Sequence, residues 1–180
     1  MDIGIISNRY AKALHRFAEE NNEADRVYTE MQALASAFLQ TKSLRHALNS
    51  PVVSSSDKKK LLTAAAAGDS APTRSAERFF ELLVKNKRAD LAQFMAQAYL
   101  SRYRQAKHLV PARLLLAGRV SEETEKSLRQ LVEKRTRGQV EFQTTIAPHI
   151  GGGFILEYDT YRLDASLKSQ LETLHRSMRG

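Results

Sequence analysis

The chain has 180 residues, room for one domain or two small ones, and its 42% apolar content supplies a core, so it does not read as disordered. With no cysteine, it has no disulfides, no thiolate zinc sites and no cysteine nucleophile. The formal charge of +8 raises nucleic acid as a partner, but the excess forms no tail: residues 1–105 hold 16 basic and 11 acidic side chains, residues 106–180 hold 12 and 9.

From the start, Ile3, Ile6, Tyr10, Ala13, Leu14 and Phe17 recur at helical steps, with Arg9, Lys12, Arg16 and Glu19 between them. Asn21 and Asn22 end this helix, and Val27, Met31, Leu34, Ala35 and Phe38 mark a second. A short helix over Leu44 to Leu48 must stop before Pro51, because proline disfavours helix in the residue ahead of it. Ser54 to Asp57 offer caps for a helix carrying Leu61, Leu62 and Ala65, which Gly68 ends. Its Lys58, Lys59 and Lys60 are the one basic run, and consecutive helical residues fan out around the axis, so a solvated face is expected. Pro72 reads as a first-turn proline of a fifth helix with Ala76, Phe79, Phe80 and Leu83 on its apolar side. After a break at Asn86 to Arg88, a sixth helix sets Leu91, Phe94, Met95, Ala98 and Arg102 in one stripe, with Tyr99 and Tyr103 beside it. Six short helices, each with an apolar stripe, predict a compact bundle over residues 1–105.

The pattern changes near Lys107. His108 to Ala117 is an apolar run with Pro111 near its start, which predicts a buried or edge strand. Ser121 can cap a helix with Glu122 and Glu123 in its first turn, Leu128, Leu131 and Val132 on its buried side, and Gly138 at its end. Val140, Phe142, Thr144 and Ile146 alternate with polar residues as a strand does, and Phe154 to Tyr158 and Tyr161 to Leu163 read as two more. Asp164 or Ser166 caps a last helix with the stripe Leu167, Leu171, Leu174 and Met178. The predicted class is α+β: a helical bundle over 1–105, then a small mixed α/β domain over 106–180 in the order strand, helix, hairpin, helix.

No pattern here signals catalysis. Gly151, Gly152 and Gly153 precede a strand and no GK[ST] follows, so they read as a tight structural turn and not as a phosphate loop. The five histidines, His15, His46, His108, His149 and His175, never fall at HxxxH or HExxH spacing, and neither a GxSxG elbow nor an SxxK motif occurs. Asp159 and Asp164 read as a turn residue and a cap. No metal or cofactor is expected. No apolar run approaches the roughly 20 residues of a membrane span, and the start shows no secretory pattern, so a chain without direct membrane insertion is expected.

RYAKAL at Arg9–Leu14, the helical first hundred residues, GGFIL at Gly152–Leu156 and DAS at Asp164–Ser166 resemble, in order and spacing, the delta subunit of bacterial F-type ATP synthase and the mitochondrial oligomycin-sensitivity-conferring protein. The resemblance covers nearly the whole length, with Lys58 to Arg88 matching only as generic helix. One departure is Ala147 before Pro148, where the family often carries an acid. The resemblance implies a stator connector without catalysis or cofactor, at the cytoplasmic face of the bacterial plasma membrane. Its helical part would bind the N-terminal segment of alpha subunits, and its C-terminal part the end of the peripheral-stalk b subunits. Tyr10, Ala13, Leu14 and Phe17, with Phe79, Phe80 and Leu83, would then form the alpha-binding groove, since a helical bundle can leave an apolar trough between two helices. The alternatives are a basic nucleic-acid-binding module, which requires salt-steep affinity, and a small enzyme with a site between its domains.

Overall fold

The structure, a computed structural model, describes residues 2–68, 70–118, 122–136, 139–158 and 160–177, the side chains of 122–125, 131, 135, 136 and 177 excepted. The expected Ser121 cap, Gly138 stop, Asp159 turn and Met178, with the side chains of Glu122, Glu123 and Leu131, lie outside that description. The class is α+β, and the chain divides into two compact units, Met1–Gln105 and Ala106–Gly180.

The first unit carries α1 (Ile3–Glu20), α2 (Ala24–Gln40), α3 (Lys42–Asn49), α4 (Ser55–Ala67), α5 (Arg74–Lys85), a 3-10 turn (Ala89–Leu91) and α6 (Ala92–Lys107). Asp2 caps α1 by accepting from the Gly4 amide at 2.8 Å, and Ser54 caps α4 by accepting from the Asp57 amide at 3.1 Å. Pro72 stands one residue before the cap of α5 and not in its first turn. Thr73 takes the capping position, because its hydroxyl accepts from the Ala76 amide at 3.2 Å while Glu30 holds it from α2. Phe80, Leu83, Val27, Met31, Leu34, Leu62 and Met95 are fully buried.

The sixth helix is rotated from its expected stripe. Ala92, Met95, Ala96, Tyr99, Leu100 and Tyr103 form its buried face, while Phe94 is 51% exposed. The physical reason is polar. The Tyr99 hydroxyl donates to the Ala24 carbonyl at 3.2 Å and the Tyr103 hydroxyl to Asp25 at 2.6 Å, so both rings enter the core with their polar ends satisfied.

The second unit is β1 (Leu109–Leu116), α7 (Glu122–Thr136), β2 (Gln139–Ile146), a 3-10 turn (Pro148–Ile150), β3 (Phe154–Tyr158), β4 (Tyr161–Asp164) and α8 (Leu167–Ser177). The sheet order is β2-β1-β3-β4. β1 and β2 are parallel, which requires a crossover, and α7 supplies it. The hairpin is β3–β4. Leu128 and Val132 of α7 pack with Ala112, Leu114, Val140 and Leu156 on one face of the sheet. Ala147, Ile150 and Ile155 form a smaller cluster with Leu115.

β1 is an inner strand despite Pro111. The carbonyls of His108 and Leu116 both accept from residues at the ends of β2, so alternate residues of β1 turn their peptide groups to β2 and the rest toward β3. Pro111 belongs to the second set, and β3 has already ended opposite Ala112. Among the described residues its missing N–H therefore deprives no ladder of a bond. β2 departs from the expected alternation: Val140 is buried, but Thr144 is exposed and Ile146 is 56% exposed, as befits an edge strand covered only at its first half.

Candidate partner-binding groove

Helix α1 has two different apolar faces. Ser7, Ala11 and Ala18 are buried with Ile6 and Leu14, and the small side chains let α1 settle closely into the helical unit. The larger Tyr10 and Phe17 are only half-buried, and Ala13 is exposed. These three point into a groove that α5 completes. The groove has a volume of about 580 Å³ and is lined by Tyr10, Ala13, Leu14 and Phe17 from α1, facing Ser75, Phe79, Leu82 and two arginines, Arg74 and Arg78, from α5.

Five of the seven side chains expected at such a groove meet there. Phe80 and Leu83 do not line it: both are at 0% exposure, on the side of α5 that packs into the core. Leu82, 42% exposed, lines the groove in their place. Leu82, Arg74 and Arg78 escaped sequence reasoning because the core stripe of Ala76, Phe79, Phe80 and Leu83 drew attention to the next ridge. The i, i+4 series 74–78–82 was the signal available.

Both walls are held by polar contacts. At one end the Tyr10 hydroxyl accepts from Asn86 Nδ2 at 2.8 Å, and the Arg88 guanidinium lies 5.4 Å from the Tyr10 ring centroid. At the other end, α2 and the residue before it supply two carboxylates to the first turn of α5. Buried Glu30 accepts from the Thr73 amide at 2.6 Å and its hydroxyl at 2.7 Å. Glu23 accepts from the Arg74 amide at 3.2 Å and the Ser75 amide at 2.8 Å. With Thr73 serving Ala76, four successive amides at the start of α5 have acceptors, and negative charge stands where the helix dipole favours it. The Ser75 side chain, then the Ser75 and Arg74 amides, hold the Glu23 carboxyl below its ordinary pKa.

The glycine triplet is a backbone device in the second unit. Gly151 has φ 78° and closes the 3-10 turn; Gly153 has φ 73°. A Cβ on Gly153 would stand 2.1 Å from the Ala165 carbonyl oxygen. The same loop meets the start of α8, where the Gly152 carbonyl accepts from the Leu167 amide at 3.0 Å and the Ser166 hydroxyl donates to Asp164 at 2.6 Å and accepts from the Ser169 amide at 3.2 Å. The Ser166 hydroxyl, then the Ser166 amide at 3.1 Å, hold the Asp164 carboxyl below its ordinary pKa. Beyond the cap, Leu167, Leu171 and Leu174 form an α8 stripe that is 47%, 56% and 59% exposed.

Among the described residues no group of three or more His, Asp or Glu could hold a metal ion, and no helix is long and apolar enough to cross a membrane. What the geometry offers is an apolar trough with polar ends, suited to receiving a helix.

The family model for the ATP synthase delta (OSCP) subunit matches residues 6–178. The chain is 40% identical to an ATP synthase subunit delta of Bacteroides fragilis over 172 residues, covering 96% of this chain and 92% of that one. It is 41% identical to the subunit delta of Phocaeicola vulgatus at the same coverage. A chain from the cryo-EM structure of the Toxoplasma gondii mitochondrial ATP synthase hexamer shares the fold, with a TM-score of 0.63, 21% identity and 97% of each chain covered. These likenesses favour the stator reading and leave the nucleic-acid alternative without support. The chain belongs to the ATP synthase delta (OSCP) subunit family, the non-catalytic stator components of F-type ATP synthase.

Proposed function

We propose that the chain is the joint between the catalytic head and the peripheral stalk, at the cytoplasmic face of the bacterial plasma membrane. Residues 1–105 act as a six-helix bundle whose α1–α5 groove receives the N-terminal helical segment of an alpha subunit. Residues 106–180 hold the end of the b subunits. The observation that carries this reading is the groove itself: Tyr10, Ala13, Phe17, Phe79 and Leu82 present anchors at helical spacing along a trough. The uncovered stripe Leu167, Leu171 and Leu174 supports the second contact, since a surface apolar row at i, i+4, i+7 spacing matches a helical partner.

The mechanical role follows from two separate contacts. Rotation of the central shaft exerts torque on the head, and a joint held on both sides keeps the head from turning with it. Each interface need only reach a standard size of about 1,600 Å², because engagement of one raises the effective concentration for the other. Titration calorimetry of the full chain with the N-terminal peptide of the same organism's alpha subunit tests the head contact. Saturable one-to-one binding is expected, and Ala13→Asp should weaken it at least tenfold with an unchanged circular dichroism spectrum, because Ala13 is exposed. Wild-type affinity in a folded Ala13→Asp variant would remove Ala13 from the contact.

A further inference from the structure

Apolar contacts alone do not tell one amphipathic helix from another, so the charges beside the groove decide what it selects. Every charged residue lining it is an arginine: Arg74 and Arg78. Arg74 has no ion pair among the described residues. Among the described residues Arg78 pairs only with Glu81 Oε2, at 3.2 Å, while Oε1 of the same carboxylate binds Lys59 at 2.8 Å. The acid beside Arg78 is thus shared between two cations. Near the start of α5, Glu23 spends both oxygens on backbone amides.

The opposite wall, from α1, contributes no charge to the lining. On α1, exposed Glu20, Arg9 and Arg16 follow in the directions beyond Ala13, outside the lining residues. Arg16 pairs with Glu20 at 3.0 Å, and the pair is exposed, so it holds Arg16 weakly. The groove is therefore an apolar trough whose lining charge is the arginine pair of α5.

We propose that this groove selects an acidic amphipathic helix, with Arg74 and Arg78 as its specificity-determining residues. Those two stand one helical turn apart, roughly 6 Å along α5. Carboxylates at i, i+4 on one flank of the docked helix repeat that spacing, and guanidinium groups pair with carboxylates in a fixed, directional fork. An occupant with lysines on that flank meets like charge beside a desolvated trough and is rejected.

This inference rests on the groove being the seat of the alpha segment, and the test separates the two. The full chain is titrated with three peptides: the alpha N-terminal segment, the same segment with its acids changed to amides, and a third with them changed to lysine. Titrations are run at low and high salt, against wild type and Arg74→Gln/Arg78→Gln. The expected result is a loss of about tenfold for the amide peptide and more for the lysine peptide. The double variant should bind the native and amide peptides equally, and the difference between native and amide peptides should shrink at high salt. Both arginines are on the surface, so the variant's melting temperature should stay within a degree or two. Native binding that ignores peptide charge, salt and both arginines overturns the acidic-helix proposal and leaves the groove reading intact. No binding by any peptide overturns both.

Discussion

Glu30 shows how much of the groove depends on single residues. Its carboxylate is buried, and both oxygens are committed to Thr73. Removing it strands a buried amide and a buried hydroxyl, so Glu30→Ala should cost about 2–4 kcal/mol in denaturant unfolding. Glu23 makes a pH-dependent contribution. Its pKa is depressed on folding, so the stability it adds is present above the unfolded carboxylate value, about 4.3, and is lost as pH falls through the lower folded value. Glu23→Gln should make stability less pH-dependent below about pH 4.5, and urea melts at several acidic pH values would show it. Gly153 and Gly151 differ in a way that sorts conformation from crowding. Both have positive φ, but a Cβ on Gly151 meets nothing within 4 Å, whereas one on Gly153 strikes the Ala165 carbonyl. Gly151→Ala should cost about 1 kcal/mol and Gly153→Ala about 2–4 kcal/mol, read from unfolding midpoints. Equal losses would assign the effect to φ alone.

At the scale of elements, α8 is the informative case. Its leucine stripe is legible in the sequence, where it looks like a core face, yet the structure leaves Leu167, Leu171 and Leu174 more than two-fifths exposed. Leu171→Ser should therefore change stability by less than about 0.5 kcal/mol while weakening capture of the soluble stalk segment of b in a pull-down. A large loss of stability would mean that Leu171 serves the fold instead. Helix α1 teaches a related lesson. Periodicity found Ile6, Leu14, Tyr10 and Phe17, but it could not say that the alanines at 11 and 18 face the core while the aromatics face a groove. A stripe records that a face is apolar, and only the neighbours decide what covers it. The run of α5 was legible as an apolar side, and its core face matched. Its capping was not, because the acids come from α2 and the residue before it, more than forty residues away in sequence. Sheet pairing was equally hidden. Period-two runs at Val140 and Phe154 reveal strands, but placing β1 between β2 and β3 depends on α7 crossing over, which no local pattern encodes.

For the molecule as a whole, the family and the surfaces point the same way. The family is non-catalytic, and the described features are a rigidly capped groove in one unit and an uncovered helix face in the other. A joint of this kind works only if it grips both partners at once. The most direct measurement is sedimentation velocity of the full chain with a labelled alpha N-terminal peptide and the soluble stalk segment of b, alone and together. Independent sites predict a ternary species carrying all three components, with peptide affinity unchanged by saturating b. Competition between peptide and stalk segment, or loss of either partner when the other is bound, would contradict the connector account.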